Sequence, residues 1–432
     1  MDLLNNRTLK ALLLSGNLTQ ARLDDAATRV LTPLFRVGLM DHPNTRGNLS
    51  ANVTTALSAE VARQVAEESA VLLQNKGNLL PLKRGMKVLL AGSTSPAVGG
   101  WGSGSVGASH QPAFTAELGA RLDPPTQRPN TLHNGNLDDP KNVAALQAAD
   151  VVIAIVVTRS GEGADRANIS FDAGCPHNWC APRQDELVHN ISQVAGNKTV
   201  VIALSTGTVL MPWADNVAAI LMNFMPGQYY APALVNVLFG DVAPSGKLPV
   251  TIPNKENEYG WSQSQFPGVQ NPPCPPRARN CAPPVVTYTE GLFLGYRWYD
   301  QRGIAPRFCF GHGLGYTSFA FSELKTVAGA AGGATVTAVV RNSGNATGRE
   351  VAQLYLAFPG DDAFEPRSVL KGFNKTAMLQ PGQSVTVEFS LSDRDLSWWL
   401  GGQWTKQTGD FGIMVGSSSR DLRLNGTLAI TE

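Results

Sequence analysis

A chain of 432 residues is too long for one ordinary domain and, at about 150 residues per domain, should contain roughly two to four. Hydrophobic residues make up 43% of the sequence and charged residues 16%, which supplies apolar surface for large cores and excludes a disordered chain. The 35 basic and 34 acidic side chains leave a formal charge of +1, so no basic excess indicates binding to nucleic acid or to a membrane surface.

The first segment, residues 1–57, begins with helical periodicity. The sequence RLDDAATRVLTPLFRVGL carries apolar residues at the spacing of one helix face, namely Leu23, Ala27, Val30, Leu31, Leu34 and Phe35. A polar stretch then follows as a linker, and Ser58 is placed to cap the N-terminus of the next helix, in SAEVARQVAEESAVLLQN. The sequence therefore predicts helices over residues 1–41 and a new folding unit from residue 58.

Residues 58–255 alternate aliphatic runs with helical segments. The runs are KVLLAG, DVVIAIVVT, TVVIALST and VAAILMNFM, and helical patterns such as RQDELVHNISQVAG lie between or after them. Continuous β-branched runs indicate strands that are buried on both faces, and intervening helices are typical of parallel strands. This segment is predicted to be an α/β domain built on a parallel sheet.

The last two segments change character. Residues 256–324 are rich in Pro, Gly, Asn and Gln and predict a long loop and connector. Residues 325–432 contain short alternating runs bounded by Gly, Asn, Asp or Ser, which predict a β-sandwich of the immunoglobulin or fibronectin type III kind. Two aromatic clusters, GLFLGYRWYD and LSWWLGGQW, are expected to pack between domains.

One candidate catalytic loop follows the run DVVIAIVVT, because ligands of open parallel sheets bind beyond the carboxyl ends of the strands. The loop reads RSGEGADR and places Glu162 between glycines, with Asp165 and Arg166 three and four residues later. One interpretation is a carboxyl group that acts as a general acid/base, with the Asp-Arg pair bracing the loop. The alternative is an exposed loop glutamate without a catalytic role.

A second candidate loop is glycine-rich and follows the run KVLLAG. It matches the dinucleotide pattern G-x-G-x-x-G only formally, because its glycines lie about ten residues beyond the strand and no helix follows directly. The same loop carries Trp101, whose indole face could stack on a sugar ring or could simply pack the loop. Both interpretations stay open on these residues alone.

Cysteines and glycosylation motifs point to a secretory product. Cys175 lies near Cys180, and Cys274 near Cys281, at spacings that favour two local disulfides over a zinc site. Ten Asn-x-Ser/Thr motifs accompany them, yet the first residues show no convincing signal peptide and no apolar run reaches the roughly 18 residues of a membrane span. We therefore expect an extracellular protein whose N-terminal part is not included in this sequence.

Eight motifs in order resemble the C-terminal half of glycoside hydrolase family 3 β-glucosidases. They are ARQVAEESAVLLQNKGNLLPL, GGWGSGS, SGEGADR, LMPWADNVAAILMNFMPGQ, LFGDVAPSGKLPVTIP, YTEGLFLGYRWYD, FCFGHGLGYTSFAFSEL and RSVLKGF. The resemblance implies that residues 1–57 are the end of a barrel domain and a linker. It further implies that residues 58–255 are the α/β sandwich domain of the family, and residues 325–432 its fibronectin type III-like domain.

The same resemblance implies roles for the candidate residues. Glu162 matches the general acid/base of a retaining glycosidase, Asp165 and Arg166 support its loop, and Trp101 matches an aromatic platform of the sugar site. The nucleophile of the family is an aspartate of the barrel, which would lie before Met1, so we expect no hydrolysis by this chain without a barrel domain as partner. No metal or organic cofactor is implied.

The substrate expected from the resemblance is a β-linked glucoside or oligosaccharide. Two alternatives stay open, a β-xylosidase of the same family and a non-catalytic carbohydrate-binding protein that kept the fold. The sequence does not discriminate glucose from xylose, because the specificity pocket of the family lies largely in the barrel.

Overall fold

The computed structural model describes most of the chain in two compact units, Met1–Thr55 and Ala56–Glu432. The described residues are 5–42, 47–48, 51, 53–93, 107–108, 111–126, 129–132, 136–162, 166–173, 183–270, 283–329, 332–360 and 365–431. In this part of the chain, no helix combines the length and the apolar character needed to cross a lipid bilayer.

The described residues of the first unit form two helices, α1 (Asn6–Leu14) and α2 (Gln20–Arg36). Each begins after a polar residue whose side chain accepts a backbone hydrogen bond from the first turn, 3.0 Å from Asn5 to Thr8 and 3.2 Å from Thr19 to Arg22. The helices expected over residues 1–41 are thus confirmed. Neither helix contains a buried residue.

A six-stranded sheet forms the centre of the α/β part of the second unit. Its strands are β1 (Val71–Asn75), β2 (Val88–Gly92), β3 (Asn130–Thr131), β4 (Val151–Val157), β5 (Thr199–Leu204) and β6 (Ala219–Asn223). Their order is β1-β6-β5-β4-β2-β3, and only β1 runs antiparallel to its neighbour. Every residue of β4, β5 and β6 is buried, which agrees with their unbroken aliphatic sequences.

Helices cover both faces of this sheet. They are α3 (Ala56–Glu68), α4 (Phe114–Gly119), α5 (Pro140–Ala148), α6 (Gln184–Ala195) and α7 (Tyr230–Leu238). Side chains of α4 and α7 join one apolar core, and side chains of α5 and α6 join the other. The predicted α/β domain on a largely parallel sheet is confirmed.

Two details of the N-terminal edge of this domain differ from the prediction. Helix α3 begins at Ala56, so Ser58 lies inside the helix and the predicted N-cap at Ser58 is wrong. The helix also ends at Glu68, and the apolar residues that follow it form strand β1. Val71, Leu72 and Leu73 are all buried, because consecutive residues of a strand face opposite sides of a sheet that is covered on both faces.

The C-terminal part is a β-sandwich, as predicted. Its strands are β7 (Phe319–Ala328), β8 (Ala334–Asn342), β9 (Val351–Ala357), β10 (Val369–Lys375), β11 (Ser384–Leu391), β12 (Ser397–Leu400), β13 (Gln403–Lys406), β14 (Gly409–Ser418) and β15 (Asp421–Ile430). One sheet has the order β10-β9-β14-β15 and the other β11-β8-β7, with β12 and β13 forming a separate hairpin. Alternate residues of β8, at Val336, Ala338 and Val340, are buried between the sheets.

The connector before the sandwich contains helix α8 (Tyr296–Arg302), and the aromatic clusters behave differently from one another. Tyr296 lies between the two parts, since its hydroxyl accepts a hydrogen bond of 2.9 Å from the backbone N–H of Leu370. In the second cluster, however, Trp399 is 58% and Trp404 47% exposed on the β12–β13 hairpin. The expectation that both clusters pack between domains is therefore wrong for these two tryptophans, because their hairpin is not a strand of either sandwich sheet.

Candidate functional site

The candidate site lies at the carboxyl edge of the parallel sheet, where β4 and β5 end side by side. Glu162 is exposed on a turn five residues after the end of β4 at Val157. The chain leaves the strand through Thr158, whose hydroxyl oxygen accepts a hydrogen bond of 2.9 Å from the backbone N–H of Thr206 beyond β5. Thr158 also lies 3.2 Å from the hydroxyl of Ser205. The first residue of the Glu162 loop is thus tied to the neighbouring strand end.

Arg166 fixes the loop on the other side of Glu162. Its guanidinium donates a hydrogen bond of 2.9 Å to the carbonyl oxygen of Thr208, in the segment that follows β5. Burial lowers the pKa of this guanidinium, and the nearby Glu256 carboxylate opposes that effect. Arg166 therefore contacts the segment that follows β5, and its predicted role as a support of a catalytic loop stays a prediction.

The chain returns to the body of the domain through Ile169. The backbone carbonyl of Ile169 accepts a hydrogen bond of 2.8 Å from the N–H of Leu210, and its own N–H donates to the Glu256 carboxylate at 3.2 Å. Two different segments therefore hold the loop seven residues after Glu162.

Gln184, at the start of α6, joins both ends of the Glu162 loop and was not singled out from the sequence. Its side-chain carbonyl accepts a hydrogen bond of 2.7 Å from the N–H of Val157. Its amide donates to the carbonyl oxygens of Val157 and Phe171, each at 2.9 Å. The side chain is buried, so one polar group joins Val157, the last residue of β4, to Phe171 at the far end of the loop.

The sequence did contain a signal for Gln184. The buried residues of α6 are Gln184, Val188, Ile191 and Ala195, which is the spacing of one helix face. A glutamine on an otherwise apolar helix face must find hydrogen-bond partners inside the protein. Its partners lie 13 and 27 residues away in sequence, so only the folded structure identifies them.

Asp185 makes a second set of contacts with the same end of the loop. Its carboxylate accepts hydrogen bonds from the hydroxyl of Ser170 at 2.7 Å, the N–H of Phe171 at 3.2 Å and the indole N–H of Trp213 at 2.8 Å. Burial raises the pKa of Asp185 above its usual value, against the opposing effect of these donors. This end of the loop is therefore held by Gln184 and Asp185, the first two residues of α6.

Replacing Gln184 by alanine is expected to lower the free energy of unfolding by about 3 kcal/mol or more, because three buried backbone groups lose a partner at roughly 1–3 kcal/mol each, namely the N–H and carbonyl of Val157 and the carbonyl of Phe171. Amide hydrogen exchange should become faster in peptides that contain these two residues. Gln193→Ala on the exposed side of the same helix is the control and should change stability by less than about 0.5 kcal/mol. Equal urea midpoints and equal exchange for both variants would contradict the role of Gln184.

Several residues expected to contribute to the site lie outside the described part of the chain. They are Trp101, Asp165, Cys175, Cys180, Cys274 and Cys281. The sugar platform, the Asp-Arg pair and the two disulfides therefore stay predictions. Of the described cysteines, Cys309 is a free thiol, which lies 3.5 Å from the hydroxyl of Ser418.

Comparisons with known proteins match both parts of the second unit. The sequence profile of the glycosyl hydrolase family 3 C-terminal domain matches residues 70–296, and that of the fibronectin type III-like domain matches residues 350–419. A curated relative, probable β-glucosidase L of Emericella nidulans, is 33% identical over 98% of this chain. The chain spans 61% of the length of that relative.

Solved structures resemble the whole described fold. The β-D-glucoside glucohydrolase from Trichoderma reesei is 31% identical and superposes with a TM-score of 0.81, covering 99% of this chain and 63% of its own. A β-glucosidase from Streptomyces venezuelae, solved in complex with D-glucose, is 26% identical with a TM-score of 0.82, covering 98% of this chain and 66% of its own.

Proposed function

Because the chain belongs to glycoside hydrolase family 3, we propose that it forms the part of a retaining β-glucosidase that supplies the general acid/base, Glu162. The observation that carries this proposal is the position of Glu162, exposed on the loop that directly follows β4 at the carboxyl edge of the sheet. Hydrogen bonds of Thr158, Arg166 and Gln184 hold the loop on both sides of Glu162. The backbone that carries the carboxyl group is therefore fixed in position next to the sheet edge.

In the proposed reaction Glu162 transfers a proton twice. It first donates a proton to the glycosidic oxygen, so that the aglycone leaves as a neutral alcohol while a carboxylate attacks the anomeric carbon. It then removes a proton from the water molecule that hydrolyses the glycosyl-enzyme bond, which releases the sugar with retained configuration. The other loop residues hold this carboxyl group in place between the two steps.

Retaining hydrolysis needs a second carboxyl group about 5–5.5 Å from the first. We propose that this nucleophile is an aspartate of a barrel domain, which the resemblance to family 3 implies, and that this barrel corresponds to the part of the curated relative outside the 61% of its length matched here. The proposed substrate is a terminal β-D-glucosyl residue, in keeping with the names of the relatives, and the barrel would be the required partner.

We also propose that the protein is extracellular. Its ten glycosylation motifs support this location, and none of the nine motif asparagines that the structure describes is buried. These nine are Asn6, Asn17, Asn48, Asn168, Asn190, Asn197, Asn345, Asn374 and Asn425.

The experiment that tests the proposed function fuses the N-terminal part of the Emericella nidulans relative to this chain. The fused protein should hydrolyse 4-nitrophenyl β-D-glucoside, and proton NMR should show the β-anomer of glucose as the first product. Glu162→Gln should remove most of this activity. Equal activity of the two proteins would contradict the role of Glu162, and binding of cellobiose without hydrolysis would favour a non-catalytic carbohydrate-binding protein.

A further inference from the structure

Two tryptophans on the β12–β13 hairpin of the sandwich stand in solvent and take no part in the proposed reaction. Trp399 and Trp404 are directly opposite each other in the strand register, so both indoles project from the same face of the hairpin. Together with Arg394 they form what is here called the Trp399 surface. Burial of an indole stabilises a protein more than burial of most side chains, so two exposed indoles side by side indicate a use for them in solvent.

The other face of the hairpin anchors it to the sandwich. Trp398 lies on that face, and its ring centroid is 5.6 Å from that of Phe358, which in turn lies 5.3 Å from that of Phe411 in the core. At the base of the hairpin, the N–H of Gln407 donates a hydrogen bond of 3.0 Å to the carbonyl oxygen of Leu396. The sandwich therefore holds the hairpin in place before any ligand arrives, and the outer face is presented on a fixed support.

The two indoles differ in how much of their surface is available. They meet edge to face, with centroids 5.3 Å apart and ring planes at 65°. The guanidinium of Arg394 lies 4.5 Å from the centroid of the Trp404 ring and covers one of its faces. Trp399 is the more exposed of the two. A flat ligand would therefore stack on Trp399 and have Trp404 and Arg394 at its side.

Exposed polar groups accompany the indoles on the same face. Lys406 lies two residues after Trp404 along β13, so its side chain leaves the strand on the face that carries the indoles. Its ammonium is 2.8 Å from the carboxylate of Asp393, which is 57% exposed. The Trp399 surface thus combines an apolar ring face with charged donors and acceptors next to it.

A sugar ring of the β-glucose type matches this combination. Its hydroxyl groups are equatorial, so each face of the ring consists of C–H groups and the hydroxyls point outward along the rim. The C–H groups carry partial positive charge, and the face of an indole is negative. Rim hydroxyls of a ring stacked on Trp399 could donate to the Asp393 carboxylate and accept from Arg394.

Two other classes of partner fit the Trp399 surface less well. The exposed halves of the two indoles offer roughly 150–250 Å² together, whereas a standard protein–protein interface takes about 800 Å² from each partner. Recognition of an anionic lipid surface uses clusters of about four to eight basic side chains, whereas Arg394 and Lys406 are accompanied by the Asp393 carboxylate. The small area and the mixed charge favour a neutral polar ligand with an apolar face.

We propose that the Trp399 surface binds a soluble chain of β-linked sugars, at a site separate from the Glu162 loop. One sugar ring stacks on Trp399, and the next ring of the chain reaches Trp404 and Arg394. The identification of the sugar as glucose rests on the proposed function, whereas its nature as a chain of pyranose rings rests on the hairpin. Such a site holds the protein on a polysaccharide without taking part in hydrolysis.

The test is native gel electrophoresis of the 432-residue chain in gels that contain mixed-linkage β-glucan or hydroxyethyl cellulose, followed by calorimetric titration with cellohexaose. The mobility should fall as the polysaccharide concentration rises. Trp399→Ala and Trp399→Leu should both weaken binding at least about tenfold, because neither side chain has a ring face. Trp399→Tyr, which keeps an aromatic face, should stay within about threefold of the unchanged chain.

Two controls keep the result specific. Trp399 is exposed, so its variants should unfold at the same temperature as the unchanged chain, and recovery of binding by Trp399→Tyr excludes a misfolded hairpin as the cause of the loss. Trp261→Ala is the matched control, because it removes an exposed tryptophan outside the sandwich, and it should leave binding unchanged.

Four results would overturn the proposal. They are no retardation by either polysaccharide and no binding of cellohexaose, equal binding by the Trp399 variants and the unchanged chain, an equal loss in Trp261→Ala, or loss of binding when the N-terminal part of the relative is fused to the chain. Binding to phosphatidylserine vesicles through Trp399 without binding to β-glucan would equally contradict it and would indicate a lipid surface.

The same measurements separate this proposal from the proposed function. Glu162→Gln should bind β-glucan as tightly as the unchanged chain, because Glu162 is not part of the hairpin. In the fused enzyme, Trp399→Ala should leave hydrolysis of 4-nitrophenyl β-D-glucoside unchanged. Loss of hydrolysis therefore tests the catalytic carboxyl group, and loss of retardation tests the Trp399 surface.

Discussion

Glu162→Ala in the fused enzyme is expected to lower kcat/KM by about 10²–10⁴-fold for β-glucosides with poor leaving groups. An alkyl alcohol leaves slowly as an alkoxide, so its departure would depend on the proton that Glu162 is proposed to donate. A 2,4-dinitrophenolate leaves readily without a proton. The same substitution should therefore lower kcat/KM for 2,4-dinitrophenyl β-D-glucoside, which reports the glycosylation of the enzyme, far less. Comparing the two substrates by steady-state kinetics therefore reports the acid role and not a general loss of folded enzyme.

The base role has its own measurement in the same variant. Azide is a nucleophile that does not need a general base, so it should accelerate turnover of 2,4-dinitrophenyl β-D-glucoside by Glu162→Ala and yield β-glucosyl azide. Glu186→Ala is the control, since Glu186 is an exposed carboxylate of α6 that pairs with Arg183 at the surface. An equal loss for both leaving groups without azide rescue would show that Glu162 affects folding or binding instead of proton transfer.

Lys247→Met is expected to lower the free energy of unfolding by about 3–5 kcal/mol, because it removes one partner of a buried ion pair. The ammonium of Lys247 lies 2.8 Å from the carboxylate of Glu350, and the two side chains are only 12% and 9% exposed. Lys247 follows the α/β sheet and Glu350 directly precedes β9, so this ion pair joins the α/β part to the sandwich. The substitution would leave the Glu350 carboxylate buried beside an apolar side chain, which is the costly outcome for a buried ion pair.

A double-mutant cycle distinguishes the ion pair from simple loss of packing. The combined variant Lys247→Met with Glu350→Leu should be more stable than either single variant, because no unpaired charge is left inside the protein. Arg183→Ala disrupts an exposed pair, with side chains 76% and 49% accessible, and should cost no more than about 1 kcal/mol in urea denaturation. Additive effects of the two substitutions in the cycle would contradict the coupling.

Much of the fold could be predicted from local patterns. The four aliphatic runs from Val88 to Asn223 became parallel strands, since an unbroken β-branched run can be buried only in a sheet that is covered on both faces. The alternation in residues 334–342 predicted a strand with one buried face, and β8 has this pattern. The resemblance to family 3 depended on ordered motifs, which the sequence displays directly.

Local sequence patterns did not determine strand β1 or the exposure of the tryptophans on the β12–β13 hairpin. Strand β1 follows α3 after a short break, and its five residues could belong to either element until their pairing with β6 is known. The tryptophans of LSWWLGGQW are as apolar as those of a core, but the hairpin that carries Trp399 and Trp404 places them in solvent. Apolar character alone does not decide which side of a short hairpin is covered.

The order of the amino acids by itself determined most of the strands and helices, the family and the loop on which Glu162 lies, because periodicity and motifs are properties of neighbouring residues. Only the tertiary structure decided that Gln184 closes that loop and that Lys247 meets Glu350. The physical reason is distance along the chain. Such hydrogen bonds and ion pairs form between groups that many residues separate, and their partners exist only once the sheet and the sandwich have been assembled.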